Sequence, residues 1–181
     1  MDTKEQFDTV ITVCRSLFEK KLEDYGASWR IMRPESVTDQ IFIKAKRIRS
    51  LETKGSGMIG EDIRGEFIAI VNYGVIGLIQ LQLGFSDTVD IDNQKAVELY
   101  DIFITRTKEL MYAKNYDYDE AWRDIRITSC TDIILQKIYR TKQIENNKGK
   151  TIVSEGIDAN YSDMINYSLF SIIKLDYEIE D

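Results

Sequence analysis

The second half of this chain repeats the first, and this repeat constrains the fold more than any other sequence feature. Identical residues recur at a spacing of 93, and the polar ones agree best. They include Lys21/Lys114, Asp24/Asp117, Tyr25/Tyr118, Trp29/Trp122, Arg30/Arg123, Thr38/Thr131, Asp39/Asp132, Lys44/Lys137, Arg47/Arg140 and Glu52/Glu145 at a spacing of 93, then Asn72/Asn166 and Tyr73/Tyr167 at 94. A fold alone requires apolar periodicity rather than particular charges. The repeat therefore indicates a duplicated site as well as a duplicated scaffold.

Apolar residues recur at helical spacing at the start of each half. In the first half they include Phe7, Val10 and Cys14, three or four positions apart, which is the pattern of an amphipathic helix. The first helix of each half is predicted to end at an Asp-Tyr pair, and in the first half Gly26 supplies the stop. A loop that contains a tryptophan follows in both halves.

Two further helices are predicted in each half. The second helices are expected over residues 36–53 and 129–147, where N-cap residue types precede an acidic residue. The third helices, over residues 61–83 and 155–177, are the most apolar and are expected at the centre. No Asn-Gly or Asp-Gly hairpin joins alternating runs, so strands are not predicted.

This organisation predicts an all-α helical bundle built from two tandem three-helix repeats. The first repeat spans residues 1–84 and the second spans residues 93–177, with 1–181 forming a single helical domain. Such a chain is expected to have an internal pseudo-two-fold axis, like a symmetric dimer joined into one polypeptide.

The charge and the absence of histidine exclude several classes of function. A net charge of −7 and a pI near 4.8 argue against duplex DNA or RNA as a partner, because phosphate contacts need a basic face. A small phosphorylated ligand in a local basic pocket remains compatible. With no histidine, the chain has no Ser-His-Asp triad and no ordinary zinc site. A metal would need oxygen ligands, which select Mg²⁺, Mn²⁺ or Ca²⁺.

The apolar and cysteine patterns bear on location. The apolar run 68–83 is interrupted by asparagine, tyrosine and glutamine, so we expect no membrane span and no membrane partner. Cys14 and Cys130 stand far apart without a CxxC spacing, which predicts reduced thiols in a cytoplasmic protein.

Cationic pairs stand on the second helix of each half. Lys44 and Arg47 are three residues apart, as are Lys137 and Arg140, so each pair shares a helix face. Together with the cations of the preceding motif they are predicted to bind a di- or triphosphate, arginine bidentately and lysine as a point charge. The alternative is a solvated basic face, or ion pairs to Asp39 and Glu52. The cations of the motif are Lys21, Arg30, Lys114 and Arg123.

Aromatic residues beside an aspartate form the second candidate element. A tyrosine follows the aspartate directly and a tryptophan stands four residues later, an arrangement that suits stacking of a nucleobase and a hydrogen bond to its edge. The alternative is a structural corner in which tryptophan fills the core. The residues are Asp24, Tyr25, Trp29, Asp117, Tyr118 and Trp122.

Oxygen-bearing side chains on the third helix are candidate metal ligands and catalytic groups. Glu66 and Asp163 are predicted to hold Mg²⁺ and its water, because such sites are built inside helical bundles. Glu66 aligns with Asn160, and Asp163 aligns with Ala69, so the two sites are not expected to be equivalent. The alternative is a buried hydrogen-bond network that joins the halves. The amides beside these residues are Asn72 and Asn166.

These motifs resemble those of a known family. The Lys-x-x-Asp-Tyr-Gly-x-x-Trp element at 21–29, Lys-x-x-Arg at 44–47 and Asp-Met-x-Asn-Tyr at 163–167 resemble the nucleotide-modification-associated domain, a helical family of Bacteroidetes and phages. The resemblance covers essentially the whole chain in duplicate and implies a link to nucleotide metabolism. More distantly, the chain is similar to the MazG-like and all-α nucleoside triphosphate pyrophosphatases, which use Mg²⁺, although it lacks their Glu-x-x-Glu motif.

Two functions are compatible with these patterns. The first is a nucleotide-binding protein, with Mg²⁺-dependent hydrolysis of a nucleoside di- or triphosphate by Glu66 and Asp163. The second is a non-catalytic module for a ligand or protein partner, in which the repeated polar residues join the halves. The oligomeric state, monomer or homodimer, stays open at this level.

Overall fold

A computed structural model describes residues 1–55 and 62–178. Within those residues the chain forms six α-helices and no strand, which confirms the predicted all-α class. Two short 3₁₀ turns, Ser28–Ile31 and Ala121–Asp124, carry the tryptophans. The helices are α1 (Thr3–Tyr25), α2 (Pro34–Lys54), α3 (Ile63–Leu83), α4 (Asn93–Tyr118), α5 (Ile127–Asn146) and α6 (Ile157–Tyr177).

The helix ends follow local capping chemistry. Asp2 and Glu5 form a capping box at the start of α1, and the helix stops at Gly26, whose φ is +68°. The helix α2 begins at Pro34, two residues before the predicted start, because proline fits the first helical turn, where its missing N–H costs nothing.

The third helices differ slightly from their predicted bounds. The helix α6 begins at Ile157, so Glu155 precedes it and only Asp158 is acidic in its first turn. The helix α3 is described from Ile63, and the predicted start at Glu61 lies outside the described residues.

The helices obey the predicted pseudo-two-fold relation. The helices α3 and α6 pack on each other at the centre, α2 packs on α3, α5 packs on α6, and α2 meets α5, so these four form a bundle. The outer helices cross between repeats, because α1 contacts α6 and α4 contacts α3. Each half thus depends on the other for part of its core.

Two glycines let α3 approach α6 closely. A Cβ atom on Gly74 would lie 2.5 Å from Ile165 Cγ1, and one on Gly77 would lie 2.9 Å from the Tyr161 ring. The equivalent residues of α6, Ser168 and Ser171, are also small and are fully buried. Small residues on both helices bring the two backbones together at the pseudo-symmetry axis.

Several of the duplicated polar residues join α2 to α5. Thr38 Oγ1 donates to Glu145 Oε2 at 2.9 Å, and the equivalent Thr131 Oγ1 donates to Glu52 Oε2 at 3.2 Å. Two ion pairs flank these bonds in the same symmetric manner: Arg49 with Asp132 at 2.6 Å and Lys142 with Asp39 at 3.1 Å. These repeated residues therefore join the two halves, which is the structural alternative to a role in ligand binding.

The Glu145 carboxylate makes stability depend on pH. Burial raises the pKa of Glu145, the hydrogen bond from Thr38 lowers it in part, and Glu35 and Asp39 raise it further. The folded state therefore binds this proton more tightly than the unfolded chain, and stability from this group increases as pH falls through the raised pKa toward 4.5. We expect Glu145→Gln to raise the free energy of unfolding at pH 8, since glutamine still accepts from Thr38.

Urea denaturation at pH 5, 6, 7 and 8 measures this effect. The difference between Glu145→Gln and the parent should shrink as pH falls, because the parent becomes protonated too. The exposed Glu109→Gln is the matched control and should show little change. A difference that stays constant with pH would contradict the expectation.

The central helix α3 is long and apolar enough to cross a membrane by composition alone. Its mean hydropathy reaches 1.5, and 72% of the apolar window is buried inside the protein, as in the core helix of a bundle.

Both cysteines are unpaired and buried, and burial raises the pKa of the Cys14 thiol to about 12. At neutral pH that thiol is protonated and unreactive.

Candidate ligand cavities

Two cavities occupy equivalent places in the two repeats. The first cavity, of about 310 Å³, lies between α1, the first 3₁₀ turn and α3, and the second cavity, of about 410 Å³, lies between α4, the second 3₁₀ turn, α5 and α6. Both volumes are in the range of small-molecule sites. Pseudo-symmetry thus duplicates a concave site as well as a scaffold.

Five identical residue pairs line these cavities. A lysine and a tyrosine come from the end of the first helix of each half, a tryptophan comes from the 3₁₀ turn, and an asparagine and a second tyrosine come from the third helix. The pairs are Lys21/Lys114, Tyr25/Tyr118, Trp29/Trp122, Asn72/Asn166 and Tyr73/Tyr167. Residues matched across the sequence repeat therefore converge in space.

The first cavity is mostly apolar. Lys21 is its one charged lining residue among those described; it is exposed and forms no ion pair with any described residue. Both polar atoms of the Asn72 side chain have protein partners, because Nδ2 donates to Cys14 O at 3.0 Å and Oδ1 accepts from the Tyr100 hydroxyl at 2.7 Å. Ala69 stands where the second repeat has Asp163. This site offers an apolar wall with one cation at its rim.

The second cavity contains a bridge of three charged residues. Lys114 Nζ contacts Asp163 Oδ1 at 3.0 Å, and Lys137 Nζ contacts Asp163 Oδ2 at 3.0 Å. The carboxylate is nearly buried, whereas 46% of the Lys114 side chain is exposed. Asp163 therefore holds two ammonium groups side by side at the cavity wall, with net charge of about +1.

Two buried polar atoms in the same lining have no protein partner. Trp122 Nε1 and Asn166 Oδ1 make no hydrogen bond in the described part of the chain, although both side chains are at least nine-tenths buried. Leaving such a group unpaired typically costs about 1–3 kcal/mol. The Trp122 ring itself is held by stacking on Phe170, with centroids 4.5 Å apart.

The two arginines of the Trp-Arg motif lie outside both linings. Arg30 is buried and binds Asp90 with Nε–Oδ1 at 2.8 Å and Nη2–Oδ2 at 3.1 Å, and it also donates to Gln80 and to Gly84 O. Arg123 likewise donates to Glu120, Glu178, Thr3 and Gln6. Both guanidiniums therefore join separate segments of the chain and do not line either cavity.

The other predicted ligand-binding residues divide between the cavities and the surface. Asp24 and Asp117 are exposed and lie outside both linings, and the half-buried Arg140 also lies outside them. Of the two cationic pairs on the second helices, Lys137 alone reaches a described cavity lining.

Lys44 and Arg47 instead contact Glu66. Lys44 Nζ lies 3.6 Å from Glu66 Oε2, and Arg47 Nη1 lies 2.9 Å from Oε1. Glu66 is 3% exposed, and two cations compensate its buried charge. The ion-pair alternative thus holds for this pair, but with Glu66 on α3 and not with Asp39 or Glu52.

Neither predicted metal ligand belongs to a larger cluster in the described residues. There, no group of three or more acidic or cysteine side chains is placed to hold a metal ion. Glu66 and Asp163 each face two cations, which compete with a divalent ion for the same oxygens. Mg²⁺ binding by these carboxylates stays a prediction.

The prediction of the site from sequence missed some cavity residues. Tyr73 and Tyr167 match across the repeat and could have been assigned to the site on that ground. Asn115 replaces Leu22 in the second cavity, and because it departs from the repeat, the repeat could not have indicated it. Comparison of the two linings is what identifies it.

The fold and the two linings define a class: an all-α protein with duplicated helical repeats and a ligand-sized cavity in each. The family model named Nucleotide modification associated domain 1 matches the chain twice, over residues 21–81 and 114–175. The matches cover well over half of the chain, so this protein belongs to that family, as its motifs predicted. No curated protein matches the chain, and no solved structure does.

Proposed function

We propose that this protein binds nucleotides, with one site in each cavity. The observation that carries the proposal is the recurrence of the same lysine, two tyrosines, tryptophan and asparagine in both linings. A helical scaffold has no need of this set twice, since the Thr, Asp and Glu pairs already join the halves. Membership of a nucleotide-modification-associated family supports the same ligand class.

The aromatic residues would bind the base. In the second cavity, Trp122 is buried and rigidly stacked, whereas the Tyr118 side chain is 69% exposed at the rim. A flat ring that stacks on the exposed Tyr118 ring gains about 1–3 kcal/mol per base. The Trp122 ring is already covered by Phe170 at 4.5 Å and by the Arg123 guanidinium at 4.3 Å, so it would form an apolar wall of the cavity. In the first cavity the exposed Tyr25 would take the same role beside the buried Trp29.

The lysines would bind the phosphate. Each ammonium has three donors; Lys114 uses one in a hydrogen bond to Asp163, and Lys137 forms an ion pair with the same carboxylate. The remaining donors can contact phosphate oxygens without loss of the bridge to Asp163. In the first cavity Lys21 provides a single ammonium, so a nucleotide bound there would have weaker phosphate contacts.

Isothermal titration with nucleoside mono-, di- and triphosphates, each with and without Mg²⁺, tests the proposal. We expect two binding sites per chain, with the tighter one lost in Lys114→Met and the weaker one lost in Lys21→Met. Lys108→Met is the matched control, since Lys108 lies on the same helix as Lys114, pairs with Asp8 of α1 at 2.8 Å and lines neither cavity.

The same titrations distinguish binding from catalysis. Release of phosphate or pyrophosphate from the nucleotide in the presence of Mg²⁺, and not in its absence, would identify a hydrolase. Asp163 is the one acidic residue in either described lining and would then be the first residue to replace. Binding without turnover would identify a nucleotide-binding module. No heat and no thermal shift with any nucleotide would contradict the proposal.

A further inference from the structure

Each of the two central helices carries one buried acid that contacts two cations, and the two acids lie at different positions in the repeat. Glu66 of α3 aligns with Asn160 of α6, whereas Asp163 of α6 aligns with Ala69 of α3. Both acids are buried. Residues three positions apart share a helix face and lie about 4.5 Å apart along the axis. The acid of the second repeat therefore lies about one helical turn nearer the C-terminal end of its helix than the acid of the first.

This displacement coincides with a difference between two equivalent lysines. Lys137 Nζ lies 3.0 Å from Asp163 Oδ2, and both residues line the second cavity together with Lys114. Lys44 Nζ lies 3.6 Å from Glu66 Oε2, and neither of these residues belongs to the described lining of the first cavity. Each lysine thus lies beside the acid of its own repeat, at the cavity wall in the second repeat and away from it in the first.

The described lining of the first cavity contains no acid beside its lysine. Ala69 lines that cavity at the place of Asp163, and Lys21 is exposed and forms no ion pair with any described residue. In the second cavity the Asp163 carboxylate instead holds Lys114 and Lys137, one on each oxygen. A lysine fixed in this way loses less conformational entropy when an anion binds than a lysine that is free in solvent. Two fixed ammonium groups suit a chain of phosphates, and a single exposed ammonium suits one phosphate.

We infer that the position of the acid on the third helix sets the ligand class of each cavity. The second cavity, where Asp163 positions Lys114 and Lys137, selects nucleoside di- and triphosphates. The first cavity, where Ala69 takes the place of that acid, binds nucleosides and monophosphates and gains nothing from further phosphates. Asp163 is a positioning residue for the phosphates, since it acts through the two lysines. The inference rests on the proposed nucleotide sites.

The experiment moves the acid by one helical turn without changing the net charge. Glu66→Asn combined with Ala69→Asp gives the first repeat the arrangement of the second. The background is Lys114→Met with Lys137→Met, so that only the first cavity binds. Calorimetry compares the adenine, guanine, cytosine and uracil ribonucleosides with their mono- and triphosphates. We expect the triphosphate of any base that binds to gain about 10- to 100-fold in affinity, because the new carboxylate would bring Lys44 to the cavity. The affinity of the nucleoside should not change.

The reciprocal exchange tests the inference even if the first set of substitutions prevents folding. Asn160→Glu combined with Asp163→Ala, in the Lys21→Met background, should lower triphosphate affinity at the second cavity by about 10- to 100-fold and leave nucleoside affinity unchanged. Unchanged triphosphate affinity, or an equal change for nucleoside and triphosphate, would overturn the inference and leave nucleotide binding intact. No binding of any nucleotide by the parent protein would overturn the proposed function as well.

Discussion

Replacing both lysines of the second cavity is expected to abolish nucleotide binding there. Lys114→Met combined with Lys137→Met removes two ammonium groups that lie 3.0 Å from Asp163 and leaves that carboxylate unpaired at the wall. A hydrogen bond to a charged group contributes about 1.5–3 kcal/mol, so each lysine should account for roughly tenfold to a hundredfold in affinity. The exposed carboxylate would in addition repel phosphate.

The result is measured as the dissociation constant of the tighter site by calorimetry. Methionine preserves the length and apolar contacts of the lysine stem, so a loss of affinity would report the charge. The double variant should still bind nucleotide through the first cavity with the affinity of its Lys21 site. Unchanged affinity at both sites would show that phosphate is held elsewhere.

The largest expected effect on stability is at the contact of α3 with α6. In Gly74→Val the Cβ atom would lie 2.5 Å from Ile165 Cγ1, closer than two carbon atoms can approach, and the branched side chain adds further overlap. Overpacking of this kind costs typically 1–3 kcal/mol and occasionally more. We expect a loss of about 3 kcal/mol, or about 10 °C in Tm for a chain of this size.

Gly65→Ala on the same helix is the matched control. A Cβ atom there would meet only Asp62 Oδ1, at 3.9 Å, and alanine favours the helix over glycine by roughly 1 kcal/mol. That variant should be as stable as the parent or more so by thermal denaturation. A Gly74→Val protein with unchanged Tm would contradict the close approach of the two central helices.

The helices themselves could be predicted because their signals are local. The spacing of Phe7, Val10 and Cys14, the stop at Gly26 and the apolar third helices all act within a few residues of chain. The errors were local as well: α2 starts at Pro34 and α6 starts after Glu155, where several N-terminal residue types compete for the same turn.

The candidate site could be predicted only in part. The repeat identified Lys21, Tyr25, Trp29 and Asn72 with their counterparts, and the structure brings each set together around a cavity. It did not separate them from residues such as Arg30, which is equally well repeated and is buried against Asp90. A repeated polar residue can bind a ligand or join two segments, and sequence identity is the same in both cases.

The amino-acid sequence by itself determined the all-α class, the number of helices and the two-fold relation. Periodicity and caps depend on residues close together in the chain, and the internal repeat can be read directly from a fixed spacing. Only the tertiary structure decided which charged residues form ion pairs with each other. Asp163 lies between Lys114 and Lys137, and Glu66 lies against Lys44 and Arg47. These relations depend on distances between residues far apart in the chain, which helix packing alone sets.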